Sequence, residues 1–256
     1  MKKAISIICA VTICVLAAFC FISFSKNDEI KPALEQTAKS SASTSTAVDS
    51  SEHSDTQSKY PNINRASSSL DLAVVYRNEE EKLQDEKLSA IAGTVIDTEV
   101  VLDGVVYTCC TVKIDKVIKG SFDTDTIRVL ERGGYLNSEQ AEKFMDKPGA
   151  KSKNGMYVDC EGYVPASVGD KVIFYVQKCD STNSNLAEKM KADNLYYTAG
   201  AIQGKMTLKN GKYVSATPAK LVESFKDTDY KISTKSFTPA EYEQMAVKTV
   251  KSVESK

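Results

Sequence analysis

Histidine, the side chain whose charge changes most readily near neutral pH, occurs once in this chain of 256 residues, as His53. The surrounding residues 39–59 are almost all Ser, Thr and small or charged residues, a composition that cannot bury enough apolar surface to fold. A serine or cysteine nucleophile needs a base within reach and a group that orients that base. The sequence therefore argues against Ser-His-Asp and Cys-His catalysis, because its one histidine is expected to be solvated.

Motifs that mark common enzyme and nucleotide-binding sites are also missing from the sequence, which contains no G-x-S-x-G, P-loop, dinucleotide fingerprint or H-E-x-x-H. Asp123-Thr124-Asp125 resembles the start of a calcium loop but lacks the glycine and the distal glutamate that complete one. An ordinary turn before a strand is the simpler interpretation. We therefore expect no cofactor, no bound metal and no enzymatic activity, and the alternative is a hydrolase that uses carboxylates or a lysine.

Four cysteines follow residue 100, namely Cys109, Cys110, Cys160 and Cys179, and two disulfides could pair them in three ways. The first two are adjacent, so on a strand they would point to opposite faces. Cys160 and Cys179 are the candidate disulfide, because they lie at strand ends that flank the same turn. Reduced, partly buried thiols are nevertheless the favoured interpretation of the four cysteines. A structural zinc site is not favoured, since no C-x-x-C motif is present.

Residues 4–24 form an unbroken run of uncharged, mostly apolar side chains directly behind Lys2 and Lys3. A helix needs about 20 apolar residues to cross the hydrocarbon core of a bilayer, and the two lysines favour a cytoplasmic N-terminus. We predict an uncleaved span at the cell membrane with the domain outside. Cleavage after Ser25, as in a secretory signal peptide, would instead release a secreted domain. Lipid attachment at Cys20 is a third, less favoured interpretation, because a bulky phenylalanine precedes it.

Four segments follow from these patterns. Residues 1–25 are the membrane anchor or signal peptide, and residues 26–68 are a Ser/Thr-rich tether that we expect to be disordered. Residues 69–232 are a β-rich globular domain, which is long enough to build one core. Residues 233–256 are a C-terminal amphipathic helix.

Short β-rich runs separated by turn residues dominate residues 88–215. Asp103-Gly104 and Asn210-Gly211 predict two hairpins, because both central residues of such turns must tolerate positive φ. Apolar and polar residues alternate over residues 110–115, which is typical of a half-buried strand. Seven or eight short strands predict a mainly β fold, an antiparallel barrel or sandwich with C-terminal helices behind the N-terminal helix and tether.

Two sequence signatures mark helix starts near the C-terminus. Thr238-Pro239-Ala240-Glu241 is a capping box with proline at the first helical position. Residues 242–253 then carry apolar side chains at helical spacing. Thr217-Pro218 predicts the start of a shorter helix. We expect the longer helix to pack against the strands, and attachment to a membrane surface or a partner is the alternative.

Three stretches occur in a recurring order: Ala92-Gly93-Thr94-Val95, the strand from Tyr107 that ends in Val117-Ile118-Lys119-Gly120, and Val168-Gly169-Asp170-Lys171-Val172-Ile173-Phe174. This order resembles uncharacterised exported proteins of Gram-positive bacteria with a small barrel of the oligonucleotide/oligosaccharide-binding (OB) shape. The resemblance covers about residues 90–214 and implies an OB-like barrel. The outline is also similar to the netrin module of the tissue inhibitors of metalloproteinases. That module chelates a target's metal through an N-terminal cysteine, which has no counterpart at the start of this domain.

An exported domain without a catalytic constellation is expected to bind rather than to react. We predict a binding or interaction module that contacts the membrane through its N-terminal helix and whose partner is a cell-wall polymer or a surface protein. The near balance of 33 basic and 34 acidic side chains argues against nucleic acid as the partner. Aromatic rings, if exposed, are the candidate ligand contacts: Tyr135, Tyr163, Tyr196 and Tyr197. Packing in the core or on a strand surface is the favoured interpretation for each of them.

Overall fold

The computed structural model describes residues 64–68, 74–145, 154–179, 186, 190 and 194–255. The chain divides into two units, Met1–Asp49 and Ser50–Lys256, and every described residue belongs to the second. Strands account for 41% and helices for 23% of the structure, so the predicted mainly β class is confirmed. The predicted membrane segment, residues 26–63 of the predicted tether and His53 lie outside the described residues. Among the residues that are described, no helix is long and apolar enough to cross a membrane.

Ten strands and four helices lie within the described residues. Their order along the chain is β1 (Asn64–Ser68), α1 (Glu79–Gln84), β2 (Ser89–Leu102), β3 (Val106–Lys119), β4 (Thr126–Arg132), β5 (Gly134–Leu136), α2 (Ser138–Met145), β6 (Met156–Cys160), β7 (Lys171–Lys178), β8 (Leu195–Thr198), β9 (Lys205–Lys209), β10 (Lys212–Ser215), α3 (Ala219–Ser224) and α4 (Pro239–Glu254). Both predicted hairpins are confirmed, because β2 pairs with β3 and β9 with β10 on either side of the two Asx-Gly turns.

Seven strands form one sheet in the order β10-β9-β7-β2-β3-β4-β8. β7 also pairs with β8, through residues 176–178 and 196–198. As a result β2, β3, β4, β8 and β7 make a closed ring of hydrogen-bonded neighbours. Within the ring every pair is antiparallel except β4 with β8, which is parallel. Closure protects these strands from pairing with another chain, because an open edge is what such pairing needs.

The interior of the ring is apolar. Alternate residues of its strands point inward, and Cys110, Val112, Val129 and Phe174 are fully buried there. Cys109 is also buried but belongs to a different cluster, on the outer side of β3. The prediction that the two adjacent cysteines point to opposite faces is therefore confirmed.

A second sheet has three strands in the order β1-β6-β5, and β1 runs parallel to β6. β1 begins inside the segment that the sequence assigns to the disordered tether, so that prediction is wrong for Asn64–Ser68. The five residues gain a backbone ladder with β6. Composition could not reveal this, because the ladder uses main-chain groups that every such residue carries.

The capping box at the start of α4 is confirmed. The Thr238 side chain accepts a hydrogen bond from the Glu241 N–H, and the Glu241 carboxylate accepts one from the Thr238 N–H. Tyr242 and Ala246 of α4 share a core cluster with Tyr175 of β7. The helix therefore packs on the sheet, as the first of the two interpretations expected.

The start of α3 differs from the prediction by one residue. Pro218, not Thr217, is the residue that precedes the helix, and no side chain caps it. The Thr217 hydroxyl lies 3.0 Å from the Ser215 hydroxyl instead. A threonine hydroxyl competes for nearby polar groups, so Thr217 is drawn to the end of β10 rather than to the helix.

Candidate functional site

Three residues form a row across the three-stranded sheet. Tyr135 of β5 is paired with Tyr157 of β6, and Tyr157 is paired on its other side with Arg65 of β1. Side chains of directly paired residues lie on the same face of a sheet. The Arg65 guanidinium lies over the Tyr157 ring, 5.6 Å from the ring centroid, which is within cation–π range. The row gives this sheet an aromatic face with a positive charge at one end.

A cavity of about 210 Å³, which we call the Tyr135 cavity, lies where this aromatic face meets the ring of strands. Tyr135 and Tyr157 form its aromatic side. Thr98 of β2 and Thr108 of β3 contribute hydroxyl-bearing side chains from the ring of strands. The Thr108 hydroxyl donates to the Gly133 carbonyl at 2.9 Å, so towards a ligand it can act only as an acceptor. Residues 164–168, which we call the 164–168 wall, close a third side. The cavity therefore combines flat apolar surfaces with hydrogen-bonding groups.

Two glycines allow the backbone to approach closely around this cavity. A Cβ at Gly134 would lie 2.4 Å from Thr108 Oγ1, and a Cβ at Gly155 would lie 2.6 Å from the Tyr135 hydroxyl oxygen. Both glycines have the positive φ that other residues rarely adopt, 143° and 76°. The Tyr135 hydroxyl also donates to the backbone oxygen of Asn154, at 3.2 Å. The tyrosine ring is thus fixed by its surroundings before any ligand arrives.

Two buried charges hold the 164–168 wall. The Lys205 ammonium donates to the Val164 carbonyl at 2.6 Å, and the Ala166 N–H donates to the Glu131 carboxylate at 2.8 Å. Lys205 and Glu131 are themselves an ion pair, with an N–O distance of 2.8 Å and side chains 2% and 0% exposed. Charges are tolerated in a protein interior only when they are paired and hydrogen-bonded. The position of the wall is therefore coupled to that of the ion pair.

Two further donors complete the surroundings of Glu131. The Tyr163 hydroxyl donates to Oε1, and the Cys110 thiol lies 3.1 Å from Oε2, so each carboxylate oxygen has two partners. Burial, and after it the charge of Glu131, raises the pKa of Tyr163 and of Cys110 well above their usual values. Both groups stay protonated near neutral pH and act as donors, not as nucleophiles or bases.

The four tyrosines predicted as ligand contacts lie in different places. Tyr135 lines the cavity. Tyr163 is 0% exposed and Tyr196 is 9% exposed, so the candidate role as exposed ligand contacts is wrong for these two. Tyr197 is half-buried on the outer side of β8, with its ring centroid 6.3 Å from that of Tyr107. Alternate residues of a strand face opposite sides, and the sequence of a short strand does not say which side is buried.

The candidate disulfide between Cys160 and Cys179 is not present in the structure, where all four described cysteines are buried thiols. Cys160 ends β6 of the three-stranded sheet and packs with Tyr163, whereas Cys179 follows β7 of the ring and packs with Cys109. The sequence showed only that both cysteines flank one turn, and it did not show that the strands they end join different sheets. Within the described residues, no group of three or more His, Cys, Asp or Glu could hold a metal ion.

Sequence reasoning missed Tyr157, Glu131 and Lys205. A usable signal existed for the glutamate, because the alternation of β4 places Glu131 on the same inward face as Ile127 and Val129. Lys205 gave no such signal, since a lysine at the start of a strand is ordinarily exposed. Its role depends on β4 and the 164–168 wall, which are distant in the sequence.

A larger groove of about 490 Å³ runs between α4 and β3. It is lined mainly by apolar side chains, including the exposed Val117 and Val247. Lys116 and Glu243 also line it and form an exposed ion pair with each other. Tyr213 and Tyr242 also line this groove, but no threonine does. The Tyr135 cavity is smaller and combines two tyrosines with two threonines, so it is the better candidate for selective binding of a ligand rich in hydroxyl groups.

The chain matches no protein-family model, no curated protein and no solved structure. The resemblance to exported proteins with an OB-like barrel therefore stays a prediction. The chemistry of the site rests on its own geometry, which is a rigid cavity lined by aromatic rings and hydroxyl groups.

Proposed function

We propose that this chain is an exported binding module of the cell envelope that holds one sugar unit of a cell-wall polymer in the Tyr135 cavity. Residues 4–24 would keep it at the membrane or, if cleaved, release it. The observation that carries the proposal is that Tyr135, Tyr157, Thr98 and Thr108 line one cavity. A sugar ring has apolar C–H faces and a rim of hydroxyls, so it needs flat rings and hydrogen-bonding groups together.

The volume of the cavity supports a single sugar unit. At about 210 Å³ it is smaller than the roughly 300–1,000 Å³ of pockets that enclose drug-sized ligands. A polymer would place one unit in the cavity and continue over the surface on either side. Fixed walls favour such binding, because little side-chain entropy is lost when the ligand arrives.

We further propose that the closed ring of strands is an OB-like barrel. Along the chain the five ring strands are β2, β3, β4, β7 and β8. Around the ring their order is β2, β3, β4, β8 and β7. Inserting the last strand between the third and fourth is a Greek-key arrangement, and OB folds are five-stranded Greek-key barrels. Such barrels bind oligosaccharides or oligonucleotides, and a net charge of −1 favours the former.

A binding role is favoured over the alternative hydrolase because the buried charged groups among the described residues are paired with one another. Glu131 is paired with Lys205, and Glu79 is paired with Lys82 at an N–O distance of 3.0 Å with side chains 3% and 2% exposed. A general base must come within hydrogen-bond reach of the substrate proton. These carboxylates could do so only after their own partners had moved away.

Binding of purified cell-wall polysaccharide to the full-length protein in detergent micelles tests this proposal. Tyr135→Ala removes one aromatic side of the cavity and is expected to weaken binding about tenfold. Tyr135→Phe keeps the ring and should retain most of the affinity. Phe225→Ala is the matched control, because it removes a half-buried ring that does not line the cavity. Unchanged affinity in Tyr135→Ala would exclude this cavity, and release of new reducing ends would favour the hydrolase.

A further inference from the structure

Two arginines of β4 lie on the outer side of the ring of strands, because residues four apart on a strand share a face. Their partners differ. Arg128 donates to the Glu99 carboxylate and to the Met190 backbone oxygen. The Arg132 guanidinium has no hydrogen bond or ion pair with any residue that the structure describes. It lies over the Tyr107 ring, with its central carbon 4.8 Å from the ring centroid.

The Tyr107 ring is held between Arg132 and a second aromatic ring. The Tyr197 centroid lies 6.3 Å away, and the two ring planes are tilted by 55°. Both tyrosines pack on a buried cluster that includes Cys109 and Leu130, yet each is only half-buried. Rings and guanidinium are therefore positioned by the core beneath them while part of each remains open to solvent.

We propose that Arg132, Tyr107 and Tyr197 form a second contact site, which binds an acidic unit of the polymer carrying a carboxylate or a phosphate. This inference rests on the proposed function, since it assigns a charge to the same ligand. A guanidinium presents parallel N–H donors that match the two oxygens of a carboxylate or phosphate. The neighbouring rings offer flat apolar surfaces for the sugar that carries the acidic group.

The contrast between the two arginines supports this assignment. Glu99 of β2 is engaged by Arg128, so that carboxylate does not neutralise Arg132. Stacking on a tyrosine holds the guanidinium in place but leaves its N–H groups available. Arg128 therefore stabilises the protein's own surface, whereas Arg132 keeps its hydrogen-bonding capacity for a ligand.

The test compares three purified polysaccharides, one neutral, one carboxylated and one phosphorylated, binding to the full-length protein in micelles. Arg132→Gln is expected to lower the affinity for one or both acidic polymers about tenfold while leaving the neutral one unchanged. The carboxylated and phosphorylated arms show which anion is bound. The affinity of Arg132→Lys for the acidic polymers should lie between those of the unaltered protein and Arg132→Gln. Lysine keeps the charge but lacks the parallel N–H donors of the guanidinium. Arg128→Gln is the matched control and should change the acidic preference less.

Salt dependence adds a readout that a structural role would not move. The affinity of the unaltered protein for the acidic polymer should fall with rising salt, and this dependence should be weaker in Arg132→Gln. Equal loss for neutral and acidic polymers in Arg132→Gln would overturn the inference. No acidic preference in the unaltered protein would overturn it too, while binding of the neutral polymer through Tyr135 would leave the proposed function standing. Failure to bind any of the three polymers would overturn both.

Discussion

Two lysine–glutamate pairs are buried within the part of the chain that the structure describes, and they are built in opposite ways. Glu79 and Lys82 lie one helical turn apart in α1, so their contact forms together with the helix. Glu131 and Lys205 lie on β4 and β9, which are far apart in the sequence. The first pair is a local structure that tertiary packing covers. The second exists only when two strands and the 164–168 wall are all in place.

The helical pair also joins three elements. Lys82 Nζ lies 3.0 Å from both carboxylate oxygens of Glu79 and 5.1 Å from the centroid of the Tyr175 ring. The Tyr175 hydroxyl is in turn 2.8 Å from the Tyr242 hydroxyl of α4. Burial is the first cause that raises the pKa of Tyr175 well above its usual value, and the charge of Glu79 follows. The hydroxyl therefore stays protonated and can donate.

The stability of a buried ion pair therefore depends on the elements that position its two residues. Glu79 keeps the favourable field of the α1 N-terminus even without its lysine. Glu131 would lose its one cation and keep only neutral donors. We therefore expect the ring pair to be the more sensitive of the two.

The largest effect is expected from Lys205→Met, which leaves the Glu131 charge buried without a cation. We expect unfolding free energy to fall by about 3–5 kcal/mol, measured by urea unfolding with tyrosine fluorescence, since the chain has 12 tyrosines and no tryptophan. Lys116→Ala is the matched control, because its pair with Glu243 is exposed and should cost under about 1 kcal/mol. A loss no larger than this control would mean that Glu131 is not held as a buried charge.

A smaller effect is expected from Lys82→Met. The free energy of unfolding should fall by about 2–3 kcal/mol, because Glu79 is stripped of its cation but remains in the first turn of α1. The same urea titration measures it. A loss greater than that of Lys205→Met would reverse the comparison and indicate that the local pair is the one on which the fold depends.

The smallest effect concerns the thiols of β3, one outside the ring and one beside its ion pair. Burial raises the pKa of Cys109 from its ordinary value of 9.0 to about 12. The folded state thus holds this proton more tightly than the unfolded chain. The contribution of the protonated Cys109 thiol to the free energy of unfolding is complete below pH 9. It is lost as the pH rises toward 12, and about 1.4 kcal/mol has been lost at about pH 10.

Urea unfolding repeated from neutral pH to about pH 10 checks this dependence. Cys109→Ala should remove part of the decline. Cys110→Ala should remove another part, because the pKa of Cys110 is raised both by burial and by the charge of Glu131. Stability that does not change over this range in the unaltered protein would contradict the expectation.

Features that depend on neighbouring residues were within reach of the sequence. Asp103-Gly104 predicted a hairpin, and Gly104 adopts the positive φ, 67°, that the turn needs. Thr238 and Glu241 predicted the start of α4, because the two residues cap each other within one turn. The opposite orientation of Cys109 and Cys110 followed from the geometry of any strand.

Features that depend on distant residues could not be predicted from the sequence. β1 has a polar sequence, and only its pairing with β6 makes it a strand. Tyr135 was predicted as a ligand contact and lines the cavity, but Tyr157 and the 164–168 wall come from other segments whose meeting no local pattern encodes. Tyr163 was misplaced for the same reason, since Glu131, to which its buried hydroxyl donates, lies on a distant strand.

The parallel alignment of β1 with β6 determines how the module would carry mechanical tension. The preceding chain reaches the sheet at Asn64, while Tyr157 of β6 lines the cavity and is paired with Arg65. An anchor upstream of Asn64 and a polymer held at Tyr157 would both load the seam at the end where Asn64 pairs with Met156. The five paired positions would then open one after another from that end instead of sharing the force in shear. This short two-strand seam, and not the ring, would set the force that the attachment withstands.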